Sequence, residues 1–234
     1  MDSVRFLTAG EQGLVVELGD AIDPAVNAGV QRLAAVLSGA ACPGILQMVP
    51  TYRSLMIYYD PLIISRLRLT DLIREIIPRC REVVPRDHEI KTITVPVCYG
   101  GELGPDLDFV ARHNSLTPAE VVEIHASPRY LVYMLGFLPG FPYLGGMKDS
   151  IAVPRLDSPR SVIEAGSVGI AGGQTGIYPM QSPGGWRIIG RTPLRPFDAG
   201  REKPFLFSPG DYIQFRPVSV DEYIKIERDA ASGS

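Results

Sequence analysis

Two hydrophobic periods alternate along the first part of the chain, up to about residue 88. Apolar runs of strand length predict four strands, at Val4–Leu7, Leu14–Leu18, 45–50 and 54–59. Apolar positions that recur on one helix face predict helices from Pro24 to about Gly39 and over Thr70–Ile77. The order ββαββα predicts an α+β sandwich, with the helices on one face of an antiparallel sheet. No residue pattern in this part indicates chemistry.

A mainly β pattern follows the polar, proline-bearing segment Val84–Glu89. Thr117, Pro118 and Glu120 form a capping box that predicts one helix. The predicted strands are short and lie at Ile90–Val97, Tyr130–Gly136, Val168–Ala171, Trp186–Gly190 and Tyr212–Arg216. One helix among many short strands predicts a closed or nearly closed barrel. We therefore expect an α+β domain at 1–88, a barrel domain at 89–228 and a disordered tail at 229–234.

The most specialised part of the chain is residues 136–198, where glycine and proline alternate with aromatics and arginines. Its four blocks are GFLPGFPYLGG, PRLDSPR, AGSVGIAGGQTGIYP and SPGGWRIIGRTP. A flexible linker of such glycine and proline content would be polar and poor in aromatics. Two interpretations remain open: the blocks form the wall of a binding site, or they form the tight turns of a small barrel.

Composition limits the possible partners and compartment. The formal net charge of −3 argues against an electrostatic surface for nucleic acid or an anionic membrane. The three cysteines are widely spaced without a CxxC pair, which indicates a reducing cytoplasm rather than a disulfide framework. No signal peptide and no run of membrane-spanning length is visible, so we expect a cytoplasmic protein.

Familiar catalytic motifs are missing from the sequence. It has no P-loop, no GxGxxG after a strand and no HExxH, and no zinc site is indicated. Glu102, Asp106 and Asp108 could hold a cation, but a solvated acidic turn is the favoured interpretation. His125 lies on the apolar side of its helix near the C-terminus. It could be a general acid or anion contact, or a satisfied histidine with no chemical role.

Several runs of this sequence resemble the family of bacterial 5-oxoprolinase B subunits. They are VPVCYGGELGPDL, EVVEIHASPRYLVYMLGFLPGFPYLGGM and PGDYIQF, together with the last three of the four blocks. This family is also described as KipI-type histidine-kinase inhibitors and as allophanate hydrolase subunit 1. The resemblance covers residues 90–217 closely. It implies a cyclophilin-like barrel and a protein that works with two partners of the same enzyme, a KipA-like C subunit and an A subunit. Together these subunits open 5-oxo-L-proline to L-glutamate at the expense of ATP, and the isolated chain is expected to be inactive.

This chemistry suggests roles for residues in and beside the specialised blocks. The candidate catalytic residues are His125 and Arg187. The candidate contacts to substrate or anion are Arg155, Arg160, Arg191, Arg195, Gln174, Phe137, Phe141, Tyr178 and Trp186. ATP, with magnesium, is expected at the level of the complex, and no metal site is expected in this chain. Two alternatives stay open: inhibition of a sensor histidine kinase, and participation in a biotin-dependent carboxylase or allophanate hydrolase-type system.

Overall fold

The computed structural model describes residues 4–81 and 91–232. The chain divides into two compact units, Met1–Glu89 and Ile90–Ser234. The boundary predicted at Val84–Glu89 lies outside the described residues.

Within residues 4–81, the first unit contains a four-stranded antiparallel sheet and two helices. Its strands are β1 (Arg5–Thr8), β2 (Gly13–Glu17), β3 (Ile45–Pro50) and β4 (Ser54–Tyr59), in the order β1-β2-β4-β3. The helices are α1 (Pro24–Gly39) and α2 (Arg66–Ile76), and a short 3-10 turn follows at Arg79–Arg81. Alternate strand residues such as Val16 and Ile57 pack with helical residues such as Leu33 in one core.

Local capping sets where both helices begin. The side chain of Asp23 accepts hydrogen bonds from the backbone of Ala25 and Val26, and Pro24 occupies the first turn of α1. Helix α2 begins four residues before the predicted Thr70, because Ser65 caps it by accepting from the backbone of Arg68. The added turn, residues 66–69, alternates arginine with leucine; Leu69 is buried and the other three residues are exposed, so no continuous apolar face revealed it.

The second unit is built around a closed barrel of seven strands, in the order β10-β7-β6-β13-β5-β12-β9. The strands described in the second unit are β5 (Thr92–Tyr99), β6 (Arg129–Leu135), β7 (Pro142–Gly145), β8 (Arg160–Ile163), β9 (Ser167–Ala171), β10 (Gln174–Ile177), β11 (Ser182–Gly184), β12 (Arg187–Arg191) and β13 (Tyr212–Pro217). β5 and β13 pair in parallel, and β8 and β11 form a separate two-stranded ribbon. The prediction of a mainly β barrel is confirmed for this unit.

Among residues 91–232, three α-helices accompany the barrel, whereas the sequence analysis predicted one. They are α3 (Leu107–His113), α4 (Pro118–Ala126) and α5 (Val220–Ser232). The capping box of α4 is confirmed, with Thr117 and Glu120 bonded reciprocally. Helix α3 was missed because it is short and its first turn was interpreted as an acidic loop.

Helix α5 also corrects the predicted tail. The prediction of disorder from Asp229 is wrong for residues 229–232, which continue the helix. Tyr223 is buried, so this face of the helix packs onto the barrel. The Tyr223 hydroxyl donates a hydrogen bond to Glu227, one turn later in the same helix. In the described part of the chain, no helix is both long and apolar enough to cross a membrane.

Candidate functional site

Aromatic side chains from three of the specialised blocks pack into one cluster at the barrel. The Phe141 ring meets Tyr178 and Trp186 edge to face, with centroids 5.3 and 5.4 Å apart. All three side chains are buried. The sequence analysis placed them on the wall of a binding site. Their burial corrects that expectation, because a ligand would reach none of these rings without displacing another residue.

Two glycines make this packing possible. A β-carbon on Gly176 would lie 2.8 Å from Cζ of Phe141, and one on Gly184 would lie 2.5 Å from Oη of Tyr178. Both distances are shorter than any ordinary carbon contact. These two glycines therefore allow close packing against the aromatic rings.

Phe137 is the exposed aromatic of this region, with 63% of its surface accessible. It sits at the centre of a three-residue turn, since the backbone N–H of Leu138 donates to the carbonyl of Gly136 at 2.8 Å. Its φ of 65° is a conformation that non-glycine residues rarely adopt. The turn holds the Phe137 ring 5.8 Å from Phe141, edge to face, with its other side open to solvent.

Three of the candidate arginines lie on neighbouring segments over this cluster. The segment before β8 runs beside the start of β12, because Leu156 donates its backbone N–H to Gly185 at 2.8 Å. Across the same boundary, Nε of Arg187 lies 3.5 Å from the carbonyl oxygen of Pro154. Arg155 and Arg187 therefore lie on adjacent segments, and Arg160 is linked to the same strand because its partner Asp106 also accepts from the backbone of Ile188. We call these three residues the arginine cluster.

Asp106 fixes one member of the arginine cluster. Its carboxylate accepts hydrogen bonds from Nη1 and Nη2 of Arg160, both at 2.8 Å, and a third from the backbone of Ile188 at 2.7 Å. The hydrogen bond to Asp106 raises the pKa of Arg160 above its usual value. Asp106 is only 6% exposed. The interpretation of this residue as part of a solvated acidic turn is therefore wrong.

The surroundings of Arg155 and Arg187 are different. The Arg187 guanidinium lies over the Phe109 ring, 3.7 Å from its centroid. Arg155 is exposed and close enough to Tyr143 and Tyr178 to oppose the effect of burial on the pKa of both phenols. Among the described residues, neither arginine forms a salt bridge. The sequence analysis did not identify Asp106 or Phe109 as site residues, because the contacts that define them join distant segments of the chain.

His125 is fully buried and packs against Tyr130 and Phe215 of the barrel core. Nδ1 is 2.8 Å from the Tyr99 hydroxyl, and Nε2 is 2.9 Å from Oγ1 of Thr175. Because Oγ1 of Thr175 donates to the carbonyl of Gly169, it accepts from His125, which places the imidazole proton on Nε2.

Burial lowers the pKa of His125 to about 3, so the imidazole is neutral at physiological pH. A neutral ring without solvent contact and with both nitrogens satisfied cannot exchange a proton with a substrate. This corrects the expected catalytic role: His125 supports the barrel by linking α4, β5 and β10.

The remaining candidates are dispersed. Arg191 is at the far end of β12, where it interacts with Tyr223 of α5. Arg195 is exposed on the loop that follows β12. Gln174 begins β10, in the hairpin whose Gly172 pairs with Val153. In the parts of the chain that the structure describes, no group of three or more acidic, histidine or cysteine side chains could hold a metal ion.

Comparison with known families gives this geometry a context. The family model for the carboxyltransferase domain, subdomain C and D, matches residues 4–207. The chain belongs to this family. The matched range contains the whole arginine cluster, Asp106 and the aromatic cluster, whereas β13 and α5 follow it.

Relatives of this carboxyltransferase-domain chain include two bacterial proteins that are named as the B subunit of 5-oxoprolinase. The Bacillus subtilis (strain 168) protein is 43% identical over 92% of both chains. The Escherichia coli O157:H7 protein is 40% identical over 93% of this chain and 97% of its own length. Among solved structures, the conserved protein PH0987 from Pyrococcus horikoshii is 46% identical over 94% of this chain and 100% of its own, with a TM-score of 0.56. These matches extend over both units, beyond the residues 90–217 that the resemblance seen in the sequence covers.

Proposed function

We propose that this chain is the B subunit of a multi-subunit, ATP-dependent 5-oxoprolinase that converts 5-oxo-L-proline to L-glutamate. The observation that carries the proposal is the near full-length similarity to two proteins that bear this subunit's name. The partners are the C and A subunits of the enzyme, and the isolated chain does not turn over substrate. The described cysteines are all free thiols, which suits the cytoplasmic location that we propose.

The chemistry of a five-membered lactam explains what the arginine cluster contributes. The lactam is a stable amide, and phosphorylation of its carbonyl oxygen by ATP supplies a leaving group and an electrophilic carbon. Two water molecules are consumed as the ring C–N bond opens and phosphate is released, which gives glutamate, ADP and phosphate. Negative charge is present throughout on the substrate carboxylate and on phosphate oxygens. Guanidiniums held on a packed aromatic base provide fixed positive charge for these oxygens.

The residues of this chain fit part of that task. Arginine N–H groups suit carboxylate and phosphate oxygens, and Arg155 and Arg187 are not engaged by carboxylates of the described residues. The residues that the structure describes contain no group of three or more acidic, histidine or cysteine side chains that could hold a metal ion. We therefore assign ATP and its magnesium to the assembled complex and the holding of oxyanions to this chain.

Reconstitution tests the proposal. The chain is purified alone and with the C and A subunits encoded in its own genome, and glutamate is measured with 5-oxo-L-proline and ATP present. We expect glutamate only from the complex, together with ADP in equal amount. Full turnover by the isolated chain would contradict an active site that requires several subunits. The absence of glutamate from an intact complex would contradict the proposed oxoprolinase activity.

Carboxyl transfer is a second candidate, favoured by the description of the matching family as a carboxyltransferase domain. It predicts that the chain assembles with a biotin-bearing partner and consumes carboxybiotin. The same purified complex distinguishes the two functions. Glutamate formation without biotin supports the oxoprolinase, and biotin-dependent carboxylation of an acceptor supports the alternative.

A further inference from the structure

We propose that Arg155 and Arg187 form an oxyanion-binding site that is complete in this chain without its partners, and that takes a small carboxylate or phosphate. Arg160 is excluded from ligand binding because Asp106 engages it. The choice of 5-oxo-L-proline as the carboxylate ligand rests on the proposed function, whereas the oxyanion-binding site itself does not.

The first argument is the placement of the two guanidiniums. The contact between Nε of Arg187 and the Pro154 carbonyl sets the Arg187 side chain beside the residue that precedes Arg155. Phe109 covers one face of the Arg187 guanidinium at 3.7 Å. Stacking of this kind fixes the plane of the group and leaves in-plane N–H donors for a ligand. An oxyanion with two oxygens can accept from such donors in parallel.

The second argument is charge. The arginine cluster brings together three positive charges, and Asp106 supplies one negative charge that is bonded to Arg160 on both oxygens. Asp157 lies on the same segment as Arg155 but is exposed and makes no salt bridge to a described residue. Two positive charges thus remain without a bonded carboxylate partner. A bound anion would supply the missing negative charge.

The third argument is that the neighbouring phenols do not supply a negative charge. Burial raises the pKa of Tyr143 above its usual value and raises that of Tyr178 to about 12, although Arg155 opposes both shifts. Both phenols are therefore protonated at physiological pH. Arg155 lies beside neutral hydroxyl groups, and its charge is available to a ligand.

The single tryptophan makes the test specific to this site. Trp186 precedes Arg187 directly and is the only tryptophan in the chain. The full-length chain alone is titrated with 5-oxo-L-proline, with inorganic phosphate and with 2-pyrrolidone, which has the same lactam ring without the carboxylate. Trp186 fluorescence is followed, and titration calorimetry with the same ligands detects binding that leaves the fluorescence unchanged.

We expect saturable binding of 5-oxo-L-proline, of phosphate or of both, and no binding of 2-pyrrolidone. The titrations with 5-oxo-L-proline and with phosphate show which of the two oxyanions the site binds. Arg155→Gln and Arg187→Gln should each raise Kd by about tenfold or more, the usual effect of losing a hydrogen bond between charged groups. Arg129→Gln is the matched control, because Arg129 is also an exposed arginine stacked on a ring, that of Tyr212, and should bind normally.

Two results would overturn the inference: no oxyanion binding by the chain alone, or equal weakening by all three substitutions. Its failure is separable from failure of the proposed function. If the chain binds oxyanions but the complex forms no glutamate, the binding site is supported and the oxoprolinase function is contradicted. If the complex forms glutamate but the chain alone binds no oxyanion, the oxoprolinase function is supported and a binding site complete in this chain is contradicted.

Discussion

Each carboxylate oxygen of Asp106 accepts one hydrogen bond from the guanidinium of Arg160, at 2.8 Å in both cases. The pair joins the residue before α3 to the first residue of β8, and the backbone of Ile188 ties it to β12. Ion pairs with two parallel bonds hold both side chains in one orientation. This pair therefore gives the arginine cluster one member with a fixed orientation.

Removing the Asp106 charge should destabilise the second unit. Asp106→Asn leaves the Arg160 guanidinium partly buried without its counterion, and we expect a loss of about 2 kcal/mol in the free energy of unfolding. Fully buried pairs lose roughly 3–5 kcal/mol when one partner is removed, and Arg160 is partly exposed. Urea denaturation measures the loss. Asp108→Asn, an exposed carboxylate two residues later, is the control and should change stability by less than about 0.5 kcal/mol.

The buried His125 predicts a particular dependence of stability on pH. The unfolded chain takes up a proton near the ordinary histidine pKa of about 6.5, whereas the folded protein does so only at about 3. Stability should therefore be independent of this group above about pH 7.5. It should fall as the pH drops below 6.5, by up to about 1.4 kcal/mol per pH unit.

His125→Gln isolates this effect, because the acidic groups that also titrate are common to both proteins. The difference in unfolding free energy between wild type and variant should shrink as the pH falls from 7.5 to 4.5. Parallel curves would contradict the buried neutral histidine. If the variant does not fold, nitrogen NMR of the wild-type imidazole provides the test, with a neutral ring protonated at Nε2 as the expected state.

The positive φ of Phe137 predicts an unusual order of stability between two small substitutions. Both Phe137→Ala and Phe137→Gly remove the ring, but only glycine relieves the backbone conformation at φ 65°. The glycine variant should be about 1 kcal/mol more stable than the alanine variant, as expected for a left-handed position. Urea midpoints compare the two variants. An alanine variant at least as stable as the glycine variant would show that the turn is not strained.

Close packing under the aromatic cluster distinguishes two glycines of one hairpin. A β-carbon at Gly176 would meet the Phe141 ring at 2.8 Å, whereas one at Gly173 would have only an ordinary contact with Asp149 at 3.8 Å. Gly176→Ala should therefore cost about 1–3 kcal/mol, and Gly173→Ala should stay within about 0.5 kcal/mol of wild type. Thermal unfolding of both variants checks the contrast, which equal losses would contradict.

Local sequence rules predicted the features that neighbouring residues determine. Helix α1 begins at Pro24 after its Asp23 cap, and the Thr117–Glu120 capping box starts α4, because each contact spans three residues or fewer. Three of the specialised blocks supply the rings of the aromatic cluster. Glycine and proline patterns alone could not show that Phe141 and Tyr178 face inward, since the same turns can present a ring to either side.

The contacts that organise the candidate site are long-range. Arg160 and Asp106 are 54 positions apart, and His125 and Thr175 are 50 positions apart. A pairing of this kind depends on how the barrel strands are ordered, which a single sequence does not specify. The sequence analysis therefore favoured a solvated acidic segment and left the role of His125 open, whereas the closed barrel places Asp106 beside Arg160 and His125 in the core.

Glutamate release from 5-oxo-L-proline by the assembled complex tests the central claim most directly. The complex of this chain with its C and A subunits is compared with the same preparation from which this chain is omitted, both with ATP. The account predicts ATP-coupled glutamate formation only when this chain is present. Equal glutamate formation with and without it, or none from the intact complex, would contradict its assignment as the B subunit of a 5-oxoprolinase.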